Sequence, residues 1–291
     1  METQTYDLAT RAMLVSLNIS QWTAKKRDKK ASDEIAEKHS ASKDAGRYDK
    51  HLVARDCLAE ITAIVSQMRT MHYALTLPWG ENGLRILSSQ GFVPYTDKMR
   101  ALRMQFSDAA DKFASEYPTY VAQSEALLGS LRDENDYPSA DDIRSRFDAK
   151  INFYPVPESG DFRVQMSNEN ANQIRETLQK ENQTLLADAT RNIIERLHQK
   201  ASKLVNTLTN RGGKGEKSPR FHDSLVTNIY ELLDTVAMLN LTGDQDVTDF
   251  STELDVHLNG VNAQELRESS SLRAEIAKNV GSLVQKMESF L

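Results

Sequence analysis

Residues 168–209 contain neither proline nor glycine, and their apolar residues return at helical spacing. Ile174, Leu178, Leu185, Ile193, Leu197, Leu204 and Leu208 follow one another at steps of 4, 7, 8, 4, 7 and 4. Such steps place the series on one side of an α-helix and suit the seam of a coiled coil. About 40 helical residues would span roughly 60 Å. A rod of that length with one apolar stripe needs another helix to cover it. Phe221, Leu225, Ile229, Leu232, Leu233, Val236 and Leu239 supply a second stripe directly afterwards. Residues 168–240 therefore predict a long antiparallel helical hairpin, coiled-coil-like. Its connection "RGGKGEKSPR" is made supple by glycine and basic by Arg211, Lys214, Lys217 and Arg220. Helices over about 246–258 and 271–290 complete the chain.

The first 167 residues read differently. Met13, Val15, Leu17 and Ile19 alternate within 12–23, the period of a strand. Ile151 and Phe153 alternate within 151–154, and Phe162, Val164 and Met166 within 161–166, with Pro155, Pro157 and Gly160 between them. That pattern predicts a β-hairpin, and because two strands alone are marginal, the N-terminal strand is its expected third member. The rest is helical in pattern. Residues 28–42 predict a polar helix, and Val53, Cys57, Ile61, Ile64, Met68 and His72 a stripe over 51–75. A helix is expected over 95–115, another opening at Pro118, and a short one over 139–147. The fold class is thus mainly α with a small antiparallel β-sheet (α+β): a compact unit with a three-stranded sheet over 1–167, then a helical arm over 168–291.

The chain's net charge of −6 argues against a dedicated, strongly basic nucleic-acid binder. The charge is uneven, however. Residues 19–56 hold 10 Lys and Arg against 7 Asp and Glu. Their centre is Lys25, Lys26, Arg27, Lys29 and Lys30, a candidate site for nucleic acid or an acidic partner. Trp22, just upstream, could stack on a base. At the end of a buried strand it is expected instead to anchor packing, with the lysine run connecting strand to helix.

Catalytic and cofactor signatures fail one by one. "GGKGEKS" has Glu216 where a phosphate-binding loop needs the Gly-Lys pair unbroken. The histidines are scattered, and the single Glu-x-x-His pair, Glu195 and His198, falls short of a di-iron set, so no metal and no cofactor is expected. Cys57, the only cysteine, lies on an apolar stripe, where a thiol is inert. Asp133, Glu134 and Asp136 precede Pro138 in a turn that capping and solvation explain. Trp79, in "TLPWGENG", is expected to be a core anchor. A novel catalytic site would need Asp161 and Arg163 to converge with a histidine. The start lacks a secretory signal and no apolar run is long enough to span a membrane, so a cytoplasmic protein is expected.

Six stretches carry a family resemblance: "WTAKKRDKKASDEIAEKHSASKDAGRYDKHL", "TLPWGENGLRIL", "EYPTYVAQSEALLG", "DYPSADDIRSRF", "FYPVPESGDFRV" and "LRAEIAK". In this order they resemble a phage and prophage family known only as a domain of unknown function, number three-one-five-zero. Ala24 stands where that family often has glycine. The family supplies no catalytic residues. The resemblance implies a phage or mobile-element protein, a partner of an AAA+ ATPase or an accessory to phage DNA metabolism or recombination. The residues themselves point first to a non-enzymatic helical interaction or scaffold module that engages a protein partner or a second copy of itself, and second to a nucleic-acid-binding protein.

Overall fold

The uninterrupted run folds as one helix, Asn168–Thr209. A computed structural model describes residues 8–80, 83–157, 168–209 and 222–291. In chain order its elements are α1 (Leu8–Arg11), β1 (Ala12–Ser20), β2 (Lys25–Asp28), α2 (Lys29–Lys38), β3 (Tyr48–His51), α3 (Ala59–Ala74), β4 (Leu77–Pro78), β5 (Arg85–Ser88), α4 (Ser89–Leu128), α5 (Ala140–Ile143), β6 (Asp148–Pro155), α6 (Asn168–Thr209), α7 (Ser224–Leu239), α8 (Gln245–Leu258), α9 (Ala263–Glu268) and α10 (Ser270–Glu288). The expected class, mainly α with a small antiparallel sheet, is the one observed.

Contacts group these elements into two compact units, Met1–Ser16 with Tyr73–Tyr95 and Asn152–Leu291, and Leu17–His72 with Thr96–Ile151. Neither is continuous in sequence, unlike a linear split of 1–167 from 168–291. The first unit shares one core between strands and helices. Leu14, Leu77, Trp79 and Ile86 cluster with Ile193, Ile194, Leu197, Leu204 and Leu208 of α6 and with the buried faces of α7, α8 and α10. Trp79 is therefore a core anchor, as its sequence context implied. Helix α6 packs on α7, but more extensively on α10. Ala277, Val280 and Leu283 bury an apolar stripe of α10 in this core, and Gly281 faces Val205, where an added methyl would make an ordinary contact at 3.8 Å. Among the described side chains of α6 the first buried one is Ala189, and most of those before it are exposed.

The larger sheet has the order β4-β5-β1-β6. Strand β1 pairs antiparallel with β5, Leu14 opposite Ile86, and β5 with β4, Leu77 opposite Ile86. Among the described residues the sheet thus has four strands, two of them, β4 and β5, beyond those expected. Strands β4 and β5 escaped a reading by alternation because each is too short to display a period. Their loop turns through left-handed Gly80 and Gly83 and closes with the Trp79 amide donating to Leu84 O at 3.1 Å. The second arm of the expected hairpin, 161–166, lies outside the described residues.

In the second unit α3 buries Ile61, Ile64, Val65, Met68 and His72, close to the predicted stripe. Helix α4 differs from expectation: it runs unbroken through Pro118 rather than restarting there. A proline inside a helix removes one hydrogen bond and crowds the preceding turn. Here aromatic packing around it holds the helix together. Phe113 lies within 6.0 Å of the rings of Trp22, Tyr117, Tyr120 and Phe147, and the Tyr117 hydroxyl donates to Pro138 O at 3.0 Å.

Candidate nucleic-acid interface

The basic run is not the connection that its sequence suggested. Lys25–Asp28 form β2, which pairs antiparallel with β3 in a two-stranded ribbon: Lys25 opposite His51, Lys26 opposite Lys50, Arg27 opposite Asp49 and Asp28 opposite Tyr48. Lys29 and Lys30 then begin α2. The ribbon is introduced by Ala24, buried and held at φ +52°, whose carbonyl accepts from the Leu52 amide at 2.8 Å. The left-handed region is costly for any residue with a Cβ, which makes this a position that glycine fills without strain.

One face of the ribbon is built around Lys50, only 5 % exposed. Its ammonium donates to Leu131 O at 2.6 Å and contacts Asp136 Oδ2 at 2.8 Å and Asp28 Oδ2 at 3.2 Å. Burial works against this charge, but the hydrogen bonds to Asp136 and Asp28 prevail and raise the Lys50 pKa above its ordinary value. Asp28 also caps α2 by accepting from the Ala31 amide at 3.0 Å. That bond above all, with Lys50 adding to it, holds the Asp28 carboxyl below the usual range. Asp136 is therefore no solvated turn residue. It joins the loop after α4 to the ribbon, and Lys26 approaches it at 3.7 Å.

The opposite face collects cations. Strand geometry puts Lys25 and Arg27 there with His51 and Asp49. Arg47 reaches Asp49 at 3.0 Å, and Arg55 Nε donates to His51 Nε2 at 3.2 Å. Burial, then the charges of Arg55 and Lys25, push the His51 pKa down, with Asp49 opposing. Histidine is kept neutral as an acceptor in a field that is already positive. Lys25, Lys26, Arg27, Lys29 and Lys30 are all exposed. Lys29 and Lys30 occupy the first turn of a helix that has no acidic residue there, the wrong end for a cation in the helix dipole. The unit that carries the ribbon is neutral overall, 19 Lys and Arg against 19 Asp and Glu, so its positive face is a matter of placement. Arg47 and Arg55 escaped the sequence reading because only strand pairing brings them beside the lysine run.

Trp22 is not a stacking platform. Its ring meets Tyr117 edge-on at 5.6 Å and Phe113 at 6.0 Å. The tip cations Arg211, Lys214, Lys217 and Arg220 lie outside the described residues, as do Asp161 and Arg163.

Elsewhere, Ser202 Oγ lies 3.5 Å from His198 Nε2 and Glu288 Oε1 lies 3.8 Å from the same nitrogen. A relay needs the hydroxyl and the carboxylate on opposite ring nitrogens, so these three do not form one. His198 faces Glu288 rather than its sequence neighbour Glu195. Burial pushes the half-buried Cys57 thiol upward, away from nucleophilic use. Among the described residues no group of three or more His, Cys, Asp or Glu could hold a metal ion, and no helix is long and apolar enough to cross a membrane. No protein-family model matches the chain, and neither a curated protein nor a solved structure matches it.

Proposed function

We propose that this chain works by binding rather than catalysis, and that the β2–β3 ribbon with the first turn of α2 grips a nucleic-acid backbone. The observation that carries this reading is the fixed, outward set Lys25, Arg27, Lys29, Lys30, Arg47 and Arg55, anchored from behind by buried Lys50. Packing alone gives no reason for two lysines at a helix N-terminus, whereas phosphates give one. With Trp22 packed inward, contact falls on phosphates, and little base preference follows. The test is fluorescence anisotropy with labelled duplex and single strands across a salt series. One phosphate contact from each of these six cations predicts that duplex affinity falls about 1,800-fold between 50 and 200 mM salt. Replacing Lys25, Lys26, Arg27, Lys29 and Lys30 together by glutamine should flatten that dependence. Absence of binding to either strand form at 50 mM salt would refute the reading.

A protein partner is the second reading, favoured by the mostly exposed side chains of α6 over 176–188. In a phage or mobile element, as the family resemblance implies, that helical surface would dock on an AAA+ ATPase in the cytoplasm while the ribbon holds the nucleic acid. Affinity capture with the tagged chain, repeated with charges introduced along 176–188, tests this surface.

A further inference from the structure

Two arginines meet in the unit that holds the larger sheet and α6. Arg85 of β5 donates from Nε to Thr76 Oγ1 at 2.6 Å and from Nη2 to Thr76 O at 2.8 Å. Arg196 of α6 donates from Nη2 to the same carbonyl at 2.9 Å and from Nη1 to Ala74 O at 3.4 Å. One shared acceptor therefore holds the two Nη2 atoms no farther apart than those two bonds allow. The Arg85 guanidinium also lies 4.9 Å from the Tyr73 ring centroid, sheltered by it from water. Both arginines are half-buried, and no Asp or Glu forms an ion pair with either among the described residues. Burial, and after it the Arg85 charge, lower the Arg196 pKa to about 10, which still leaves it charged at neutral pH.

Like charges pressed together in a partly dry site repel, and two neutral carbonyls and a hydroxyl, with the Glu195 charge acting on Arg196 from a distance, offset this only in part. A sheet–helix junction built only for packing would carry apolar side chains here. Most N–H donors of the two guanidiniums remain after the bonds to Thr76 and Ala74, and a pair of guanidinium forks is the arrangement that fits an oxyanion. Two fixed positive charges favour a dianion over a monoanion, and a phosphate monoester carries close to two negative charges at neutral pH. We propose that Arg85 and Arg196 form a receptor for the dianionic phosphate of a phosphate monoester, a free nucleotide or a nucleic-acid terminus. This site is independent of the basic ribbon.

The test is titration of the full chain with inorganic phosphate at constant ionic strength, followed by phosphorus NMR. Saturable binding is expected with half-saturation at or below about 1 mM, with sulfate competing and acetate not. Arg85→Gln and Arg196→Gln, each confirmed as folded by circular dichroism, should raise half-saturation at least ten-fold, and Lys29→Gln with Lys30→Gln should not. No saturation, or saturation unchanged in the arginine variants, overturns the proposal. In the intact protein the Nε–H resonances of Arg85 and Arg196 should move on phosphate addition, and resonances that stay in place overturn it whether or not the variants fold. A 5′-phosphorylated oligonucleotide that displaces phosphate better than its unphosphorylated twin assigns the site to strand ends, and displacement by a mononucleotide alone assigns it to free nucleotides.

Discussion

Lys50→Met should cost about 3 kcal/mol of stability, the lower end of what removing one partner from a buried ion pair costs. The lower end applies because the side chains of Asp28 and Asp136 are 14 % and 12 % exposed, so water can reach both once the ammonium is gone. Methionine fills nearly the same volume, so little of the loss is a cavity. Two carboxylates would be left facing each other, with Lys26 at 3.7 Å from Asp136 as partial compensation. Urea unfolding followed by tryptophan fluorescence in a Trp79→Phe background reads this unit, because Trp22 lies against Phe113 and Tyr117 in it. At a slope of about 2 kcal/mol/M the midpoint should fall by roughly 1.5 M. The pH dependence has a definite sign. The Asp28 pKa is lowered from 3.8, so its contribution is present above that value and lost as pH falls through the folded-state value. The Lys50 pKa is raised from 10.5, so its contribution is present below that value and lost as pH rises through the folded-state value. The difference between the native chain and Lys50→Met should be flat between these limits and shrink outside them. Adding Asp136→Asn to the variant should restore about 1–2 kcal/mol by removing an unpaired charge. A Lys50→Met chain within about 1 kcal/mol of the parent at neutral pH would refute the idea that this cluster anchors the ribbon.

Ala24→Gly relieves a left-handed backbone but adds chain entropy and deletes a buried methyl, so stability should change by less than about 1 kcal/mol. Ala24→Val, β-branched at the same φ, should lose about 2 kcal/mol or more by the same urea assay. Because the His51 pKa is lowered, a bound polyanion should raise it, and affinity for duplex should increase as pH falls below the ordinary histidine value. His51→Gln should remove that pH dependence in the anisotropy titration. Trp22→Ala should cost about 3 kcal/mol, through lost packing on Phe113 and Tyr117, and leave the salt slope of binding unchanged.

Sequence determined those parts of this protein whose signal is local and long enough to repeat. The 168–209 run contains no residue that stops a helix, and it is helical throughout. The stripe of α3 could be read because burial on one face writes a period into the chain, whereas β1, read as a strand from Met13, Val15, Leu17 and Ile19, buries Leu14 and Val15 on opposite faces. The lysine run was visible as composition. Tertiary structure decided everything that depends on neighbours remote in sequence. It carried α4 through Pro118, since aromatic contacts from other elements outweigh a local helix break. It gave α6 its most extensive partner in α10, through the buried stripe Ala277, Val280 and Leu283, rather than in the adjacent α7. It turned a presumed connection into a ribbon by pairing Lys25–Asp28 with a strand too short and too polar to announce itself. It also placed Asp136 against Lys50 and Arg196 beside Arg85, pairings that leave no period, motif or compositional trace. Electrostatic energy depends on distance in space, and only the folded chain sets that distance.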